Sequence, residues 1–404
     1  LLPCCPTRRS SGLDGLMRFA VDEAVLENAQ QLDDQVMNAG TITADGGDVL
    51  ITASAAQDVF TNAINNRGIV KAGRIDDSGG TTRLVGMGPG ATVLNTGTLD
   101  GSAANAKSAG GNIDITGANI RNAGRIVADA TGADAGSVRL ESTSVTVVDG
   151  SGEVSASSRE GQGGRIALLG DRVGVLDSAS IDASGGAGGG AILVGGDYRG
   201  GNPEVLNATL TVIDEDAVIR ADATANGDGG RGIAWSDEAT IFAGEISARG
   251  GPDGGDGGFV ETSGKQYLDA RGQVSAAAPN GNGGEWLLDP RDITILDIAA
   301  TAGDDSTGGD PAATPTAGAF DLSGAPHTFD SFADSAMADV DQIVASLEGG
   351  TSVTITTGGT GATEAGNITV ADNISADVAA ANVTLTLVAL NDILFNAGRA
   401  VTNT

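Results

Sequence analysis

Short runs of alternating apolar and polar residues recur along most of the chain, and one pattern returns at a nearly constant spacing. The pattern is N-x-G-x-[IVL]-x-A, seen as Asn38-Ala39-Gly40-Thr41-Ile42-Thr43-Ala44 and again as Asn122-Ala123-Gly124-Arg125-Ile126-Val127-Ala128. The steps between its apolar positions are 28, 29, 27, 28, 27, 38, 27 and 28 residues. A period of this length is typical of a repeat protein. The apolar positions, the later ones without the asparagine, are Ile42, Val70, Leu99, Ile126, Val154, Ile181, Ile219, Ile246 and Val274.

Two further apolar runs lie within each period. One follows a Gly-Gly pair, as in Gly110-Gly111-Asn112-Ile113-Asp114-Ile115, and the next resembles Val145-Thr146-Val147-Val148. Each period therefore predicts three short strands separated by turn residues. Three such strands bury little alone, so each should lie beside its counterpart one period later, in coils about 4.8 Å apart. The predicted fold is all-β, a right-handed parallel β-helix with three strands and about 27–29 residues per coil.

The repeat also predicts what holds the coils together. Its Val, Ile and Leu residues should point inward and stack, each contributing about 1.5–3 kcal/mol of burial. The alanine at the end of the pattern suits a narrow interior corner. The asparagines should form a ladder in which side-chain amides bond from coil to coil, although tolerance of left-handed turn geometry would also explain them. The residues of this ladder are Asn38, Asn66, Asn95 and Asn122.

The pattern divides the chain into four segments. Residues 1–37 are expected to be a fragmentary or poorly ordered N-terminal segment, and residues 38–295 the regular β-helix. Residues 296–351 are expected to form a loop and one short helix near 331–347, and residues 352–404 further coils truncated at the C-terminus. Helical spacing of apolar residues supports the helix. These residues are Phe332, Met337, Val340, Ile343 and Val344.

Composition narrows the range of partners. The net charge is 22 − 53 = −31, which disfavours nucleic acid and anionic lipid surfaces as partners. No stretch reaches the length of a transmembrane helix, so membrane insertion is not expected. The two cysteines, Cys4 and Cys5, are adjacent, a poor geometry for a mutual disulfide. No signal peptide is visible at the start of the sequence.

The 38-residue step between Ile181 and Ile219 predicts a loop of about ten extra residues that leaves the shaft. It contains Asp197, Tyr198 and Arg199, which are candidate binding residues because long loops often carry function. The alternative is a surface insertion without a ligand.

Candidate chemistry is sparse. The single histidine, His327, lies in a Pro-containing loop. A catalytic triad or metal site based on histidine would need residues that the sequence does not supply, so no catalytic residue or cofactor is expected. The glycine-rich turn with Asp253 and Asp256 resembles one unit of a calcium-binding repeat. An enzymatic alternative, a β-helical polysaccharide lyase or glycoside hydrolase, would need clustered carboxylates. Its candidate residues are Asp171, Arg172, Asp177 and Asp182.

Three stretches of the sequence carry a family resemblance. They begin Gly163-Gly164-Arg165-Ile166-Ala167-Leu168, Gly257-Gly258-Phe259-Val260-Glu261 and Leu287-Leu288-Asp289-Pro290-Arg291-Asp292. In this order they resemble filamentous haemagglutinin-like exoproteins. The resemblance implies a β-helix exported by two-partner secretion, with an outer-membrane barrel transporter as partner and a secreted or bacterial cell-surface location. The N-P-N motifs of that family's secretion domain do not occur here.

The sequence therefore favours a structural shaft segment of a secreted adhesin, not an enzyme. Two alternatives stay open at this point, a β-helical polysaccharide-active enzyme and a module that captures haem or a host protein through the loop at residues 197–208. The host receptor or surface ligand has no signature in the sequence.

Overall fold

The computed structural model describes residues 10–11, 16–21, 25–28, 30–54, 59–75, 80–298, 336–358, 365–379 and 382–403. Across these residues the chain winds as a right-handed parallel β-helix of about 12 turns. The predicted fold class is confirmed. Cys4, Cys5, His327 and Phe332 lie outside the described residues.

The described elements are strands of 2 to 12 residues, one 3₁₀ turn and one α-helix. Strands β1 to β14 are Ser10–Ser11, Leu16–Ala20, Asp34–Asn38, Thr41–Thr43, Asp48–Ser54, Asn62–Asn66, Ile69–Lys71, Thr81–Met87, Thr92–Asn95, Thr98–Asp100, Asn112–Asn122, Arg125–Val127, Ser137–Val148 and Glu153–Ser155. Strands β15 to β25 are Arg165–Leu169, Arg172–Val175, Ser180–Asp182, Ala191–Val194, Ala208–Ile213, Val218–Arg220, Arg231–Phe242, Glu245–Ser247, Phe259–Gly264, Tyr267–Ala270 and Gln273–Ser275. Strands β26 to β34 are Glu285–Leu288, Ile293–Leu296, Ala336–Asp339, Ser352–Thr356, Ile368–Val370, Ile374–Ala376, Leu385–Val388, Ile393–Phe395 and Val401–Asn403. The 3₁₀ turn is Tyr198–Gly200, and helix α1 is Val340–Glu348.

A regular coil has three sides. Side one begins directly after the double-glycine corner, side two follows it, and side three carries the apolar position of the repeat. Sides one and two share one sheet, because long strands such as β11, β13 and β21 run through the corner between them. Side three is a separate parallel sheet, with the order β25-β22-β20-β17-β14-β12-β10-β7-β4 in the described part of the chain.

The apolar position of the repeat forms one continuous column inside side three. Each of the nine residues is the direct partner of the next in the parallel ladder, from Ile42 to Val274. Ile126 and Val154, for example, stand in register on neighbouring coils and are both 0% exposed. The register also continues across the long step, because Ile181 pairs with Ile219. This column of stacked apolar side chains therefore runs through the hydrophobic core of every regular coil from Ile42 to Val274.

Each coil is closed by close backbone contact between side three and side one. The N–H of Gly190 donates to the carbonyl of Ala183, a fully buried alanine at the end of the repeat. A Cβ on Gly190 would lie 2.1 Å from the carbonyl oxygen of Gly164 on the preceding coil. The same arrangement recurs at Gly164, Gly230, Gly258 and Gly284. Glycine is therefore required at these corners by the approach of one coil to the next.

The four repeat asparagines form a hydrogen-bonded ladder at the corner before side three. The Nδ2 of Asn38 donates to Oδ1 of Asn66 at 2.8 Å, and the next two steps are each 2.7 Å. None of the four has a positive φ, so the amide ladder, not left-handed turn geometry, explains asparagine here. In the next coil Val148 is the partner of Asn122, so the amide ladder ends there, and Asn122 donates to the carbonyls of Gly124 and Glu153.

The regular stack begins earlier than residue 38. Strand β2 pairs in parallel with β5, β3 pairs in parallel with β6, and β1 pairs antiparallel with β2. Met17, Phe19 and Val36 pack against the core. Because the repeat pattern starts only at Asn38, it predicts no register for these earlier strands.

The segment after β27 departs most from the predicted layout. Strand β28 lies on side two between β24 and β27, parallel to both. Helix α1 then takes the place of a strand on side three, next to β25 and β31. The sequence placed the helix near residues 331–347, but Met337 belongs to β28 and the helix begins at Val340. The hydrogen bonds and packing that β28 gains from pairing with strands on both sides override the helical spacing of apolar residues in this segment.

Helix α1 covers an edge of side three that a strand would otherwise occupy. Val340, Ile343 and Leu347 are buried against the core. The Ser346 hydroxyl donates to the carbonyl of Val274, and the Thr351 hydroxyl accepts from the N–H of Ala276, each at 2.9 Å. These two hydroxyl groups satisfy backbone groups of β25 and its following turn. Strands β29 to β34 then resume the parallel stack.

We expect Gly190→Ala to destabilise the protein by about 2–3 kcal/mol, because its methyl group would collide with backbone that cannot move aside. The control is Gly40→Ala, since a Cβ at Gly40 has no atom within 4 Å. The measurement is the urea midpoint followed by circular dichroism. Equal midpoints for the two variants would contradict the close-contact argument.

We expect Asn95→Ala to cost about 2–4 kcal/mol, because it removes two buried amide hydrogen bonds, one with Asn66 and one with Asn122. Asn38→Ala at the half-exposed end of the ladder breaks one amide pair and should cost about 1 kcal/mol. Urea denaturation of the two variants measures the difference. A loss at Asn38 as large as that at Asn95 would argue against a cooperative ladder.

Candidate functional site

The extra residues between Ile181 and Ile219 form a closed loop, residues 195–207, which we call the strap. Its two ends meet where the N–H of Ala208 donates to the carbonyl of Gly195 at 2.6 Å. Inside the strap the side chain of Asn202 donates to Asp197, and that of Asn207 donates to the carbonyl of Gly200. The strap therefore has a fixed shape of its own.

The strap lies against the outer surface of side one and covers an apolar patch there. The patch consists of outward-facing residues from β15, β18 and β21, and Val205 of the strap packs against them. Outward side chains on a solvated strand are ordinarily polar. These side chains are instead buried, so the strap acts as a cover over the shaft. The patch residues are Ala167, Leu169, Leu193, Ile233 and Trp235.

Close packing of the strap on Trp235 depends on glycine. A Cβ at Gly200 would lie 2.5 Å from the indole Nε1 of Trp235, and one at Gly196 would lie 2.6 Å from its Cδ1. Gly200 also has φ +59°, a conformation that glycine adopts without strain. The two glycines allow the strap backbone to lie directly on the indole ring.

Arg199 ties the strap to three further coils. Its backbone N–H donates to both carboxylate oxygens of Glu261 at 3.2 Å, and its Nε lies 3.1 Å from Oδ2 of Asp289. Its Nη2 lies 3.4 Å from the hydroxyl of Thr356, which itself donates to Asp289. These partners belong to β23, to the residue after β26 and to β29. One residue of the strap therefore spans successive levels of the shaft.

Glu261 is the most perturbed titratable group of the site. It is 0% exposed and occupies an outward position between Ile233 and Leu287 of the neighbouring coils. Burial is the main cause that raises its pKa to about 7, and the Asp289 carboxylate adds to the shift. The Arg199 N–H, a hydrogen bond with Ser263 and the Arg199 charge act in the opposite direction.

The exposed end of the strap carries a cation–aromatic stack. The rings of Tyr198 and Phe259 meet edge to face with centroids 5.8 Å apart. The guanidinium of Arg231 lies 5.3 Å from the Tyr198 centroid and 5.5 Å from the Phe259 centroid. Burial alone would raise the pKa of Asp197, but hydrogen bonds from Asn202 and the Tyr198 N–H, with the Arg231 charge, hold it below its usual value.

The structure brings Asp197, Tyr198 and Arg199 together at one place but directs much of their bonding capacity inward. Asp197 binds Asn202 and its own turn, and Arg199 binds the shaft. Tyr198 keeps 42% of its surface exposed. The predicted binding loop is thus a packed cover with one accessible aromatic ring.

The calcium candidates belong to a turn in which carboxylates bond to backbone. Asp256 donates its N–H to Asp228, and its carboxylate accepts from the N–H of Asn282 at 2.7 Å. The N–H of Asp253 donates to the carbonyl of Ala225. Within the described ranges, no three His, Cys, Asp or Glu residues come together in a way that could hold a metal ion.

The candidate residues of the enzymatic alternative are divided between two sheets. Arg172 begins β16 on side two, and Asp182 ends β17 on side three. The three carboxylates each accept a hydrogen bond from a nearby turn or strand residue: Asp171 from Thr209, Asp177 from Gly150, and Asp182 from Ser184.

No helix in the described part of the chain is both long and apolar enough to span a bilayer.

Reasoning from the sequence missed Glu261, Asp289, Thr356 and the apolar patch. One signal was present. In the alternating strands β18 and β21, Leu193, Ile233 and Trp235 fall on the outward phase where polar residues are expected. Such a break in alternation, close to an insertion, indicates that the inserted residues cover that outer face.

Comparisons with known proteins show similarity to a solved structure. No protein-family model matches the chain, and no curated protein matches it. The crystal structure of the HMW1 secretion domain from Haemophilus influenzae is 26% identical, with a TM-score of 0.40. The similarity covers 63% of this chain and 79% of that one.

We expect Arg199→Ala to loosen the strap without unfolding the shaft, because it removes the contacts to Asp289 and Thr356. A partly exposed ion pair contributes up to about 1 kcal/mol, so local opening should rise about fivefold. The measurement is the initial rate of chymotrypsin cleavage after Tyr198. Arg139→Ala, which removes a partly exposed pair with Glu141 on side one, is the matched control. An unchanged rate in Arg199→Ala would show that the Arg199 side chain does not help to hold the strap.

Proposed function

We propose that the chain is a shaft segment of a large secreted bacterial exoprotein, acting through stiffness and length and not through catalysis. The observation that supports this most directly is the unbroken column from Ile42 to Val274, in register over nine coils. Each coil adds about 4.8 Å along the axis. About 12 turns therefore give a rod of about 55–60 Å.

We infer that an outer-membrane barrel transporter of the two-partner type exports the chain in an unfolded state. The only cysteines are Cys4 and Cys5, so no disulfide of the shaft needs to form before passage. Each coil rests on the preceding one, and a repeat fold of this kind can grow from one end as the chain emerges. The three stretches that resemble filamentous haemagglutinin-like exoproteins agree with this route.

An adhesive role at the bacterial surface follows from the same proposal. A rod holds distal elements away from the cell, where they can meet a receptor or another surface ligand. The net charge of −31 keeps such a rod soluble and apart from anionic membranes. The use of Asp171, Asp177 and Asp182 in local hydrogen bonds favours this role over carbohydrate cleavage.

A disulfide across two coils tests export in the unfolded state. Arg125 and Glu153 are exposed ladder partners on β12 and β14, and neighbouring parallel strands suit disulfide geometry. The full chain is expressed behind the signal peptide and secretion domain of a two-partner exoprotein, together with the matching transporter. We expect Arg125→Cys with Glu153→Cys to lose most surface-exposed chain, because the loop closes in the periplasm before passage.

The single variants Arg125→Cys and Glu153→Cys are the controls and should reach the surface like the parent chain. A reductant during expression should restore the double variant. Retention of the parent chain inside the cell, or undiminished export of the oxidised double variant, would overturn the proposal.

A further inference from the structure

The strap closes over a carboxylic acid that has no access to water. Glu261 points outward from β23, yet its surface is fully covered. Its two oxygens face the backbone N–H of Arg199 in the strap. Lifting the strap would remove this N–H and return the carboxyl group to solvent. Closure of the strap and the ionisation state of Glu261 are therefore coupled by geometry.

Few other charges face this group in the described residues. Arg199 approaches from the strap, and Asp289 approaches from the end of β26. The uncharged hydroxyl group of Ser263 bonds to Glu261, and that of Thr356 bonds to Arg199 and Asp289. Asp197 and Arg231 pair with each other at the far end of the strap, with 3.8 Å between the nearest atoms. The Arg199 charge is shared with Asp289, so it compensates Glu261 only in part.

We propose that the strap is a proton-controlled cover of the shaft: protonation of Glu261 favours the closed strap, and its ionisation favours an open strap that exposes the apolar patch. The closed strap buries the neutral carboxyl group without leaving a charge in an apolar site. When Glu261 is ionised, opening restores its hydration. The patch of Leu193, Ile233 and Trp235 then becomes accessible.

The direction of the effect follows from linkage. In the closed state the pKa of Glu261 is about 7, whereas an exposed glutamate titrates at about 4.3. The closed state therefore binds the proton more tightly. The stabilisation of the closed strap by this proton is fully present when the pH is below the pKa of the exposed glutamate, and it is lost as the pH rises through the pKa of Glu261 in the closed strap. Between them one proton is linked to closure, so the closed-to-open ratio changes by up to about tenfold per pH unit.

Asp197 does not interfere in this range. Its pKa in the closed strap is below its usual value, so its contribution to closure is lost only when the pH falls through that lowered value. The two carboxyl groups therefore act at opposite ends of the acidic range, and the response above about pH 5 belongs to Glu261.

Hydrogen–deuterium exchange of the full chain tests the proposal. Exchange in peptides that span residues 195–208 is measured from about pH 5 to about pH 8 and divided by the rate of the same peptide when unstructured. The protection factor should fall up to about tenfold per pH unit to about pH 7 and then level off. A peptide from β11 should keep constant protection, because its amides do not depend on the strap.

Glu261→Gln removes the titration but keeps a carbonyl that accepts from Arg199, so it should abolish the pH dependence and hold the strap closed at about pH 8. Glu285→Gln, on the next coil of side one, should keep the parent profile. Three results would overturn the proposal: constant strap protection in the parent chain, exchange of the strap only together with β11, or a pH profile that persists in Glu261→Gln. The comparison between strap and β11 needs no variant.

Discussion

Every coil must place its backbone directly over that of the coil before it, and the rest of the structure depends on this constraint. Parallel pairing leaves each strand edge unsatisfied until the next coil arrives. The glycine corners show how little room the stacking allows, because a Cβ on Gly164 would lie 2.0 Å from a carbonyl of the preceding coil. Side chains of the interior then have one position available, above a residue of similar size.

Departures from the regular coil are confined to places where this stacking is preserved. The strap leaves the chain between β18 and β19, and its closed base returns the chain to the same register. Helix α1 interrupts side three, but Ser346 and Thr351 supply the hydrogen bonds that a strand would have made. In both cases the irregular element replaces the contacts of a coil, so the core continues without a gap.

Features that repeat from coil to coil could be predicted from the sequence, whereas contacts that occur only once in the structure could not. Ile126 and Val154 could be aligned because a column of like residues leaves a period in the chain. Glu261 has no equivalent, since its neighbours above and below are Leu287 and Ile233, and its burial depends on Arg199, sixty-two residues earlier in the chain. Met337 was assigned to a helix from the helical spacing of apolar residues. The assignment was wrong because β28 lies between β24 and β27, an order in space that differs from the order in sequence.

The strap changes how stability is distributed along the rod. In a solenoid each coil contacts only its neighbours, so coils can in principle unfold one after another from an end. Arg199 joins β23, the end of β26 and β29, with partners up to 157 residues away in the chain. If the coil that carries Glu261, Asp289 or Thr356 unfolds, Arg199 loses the contact with that residue. The strap therefore adds contacts that span several coils, from β18 to β29, to a structure whose regular strand pairing joins neighbouring coils.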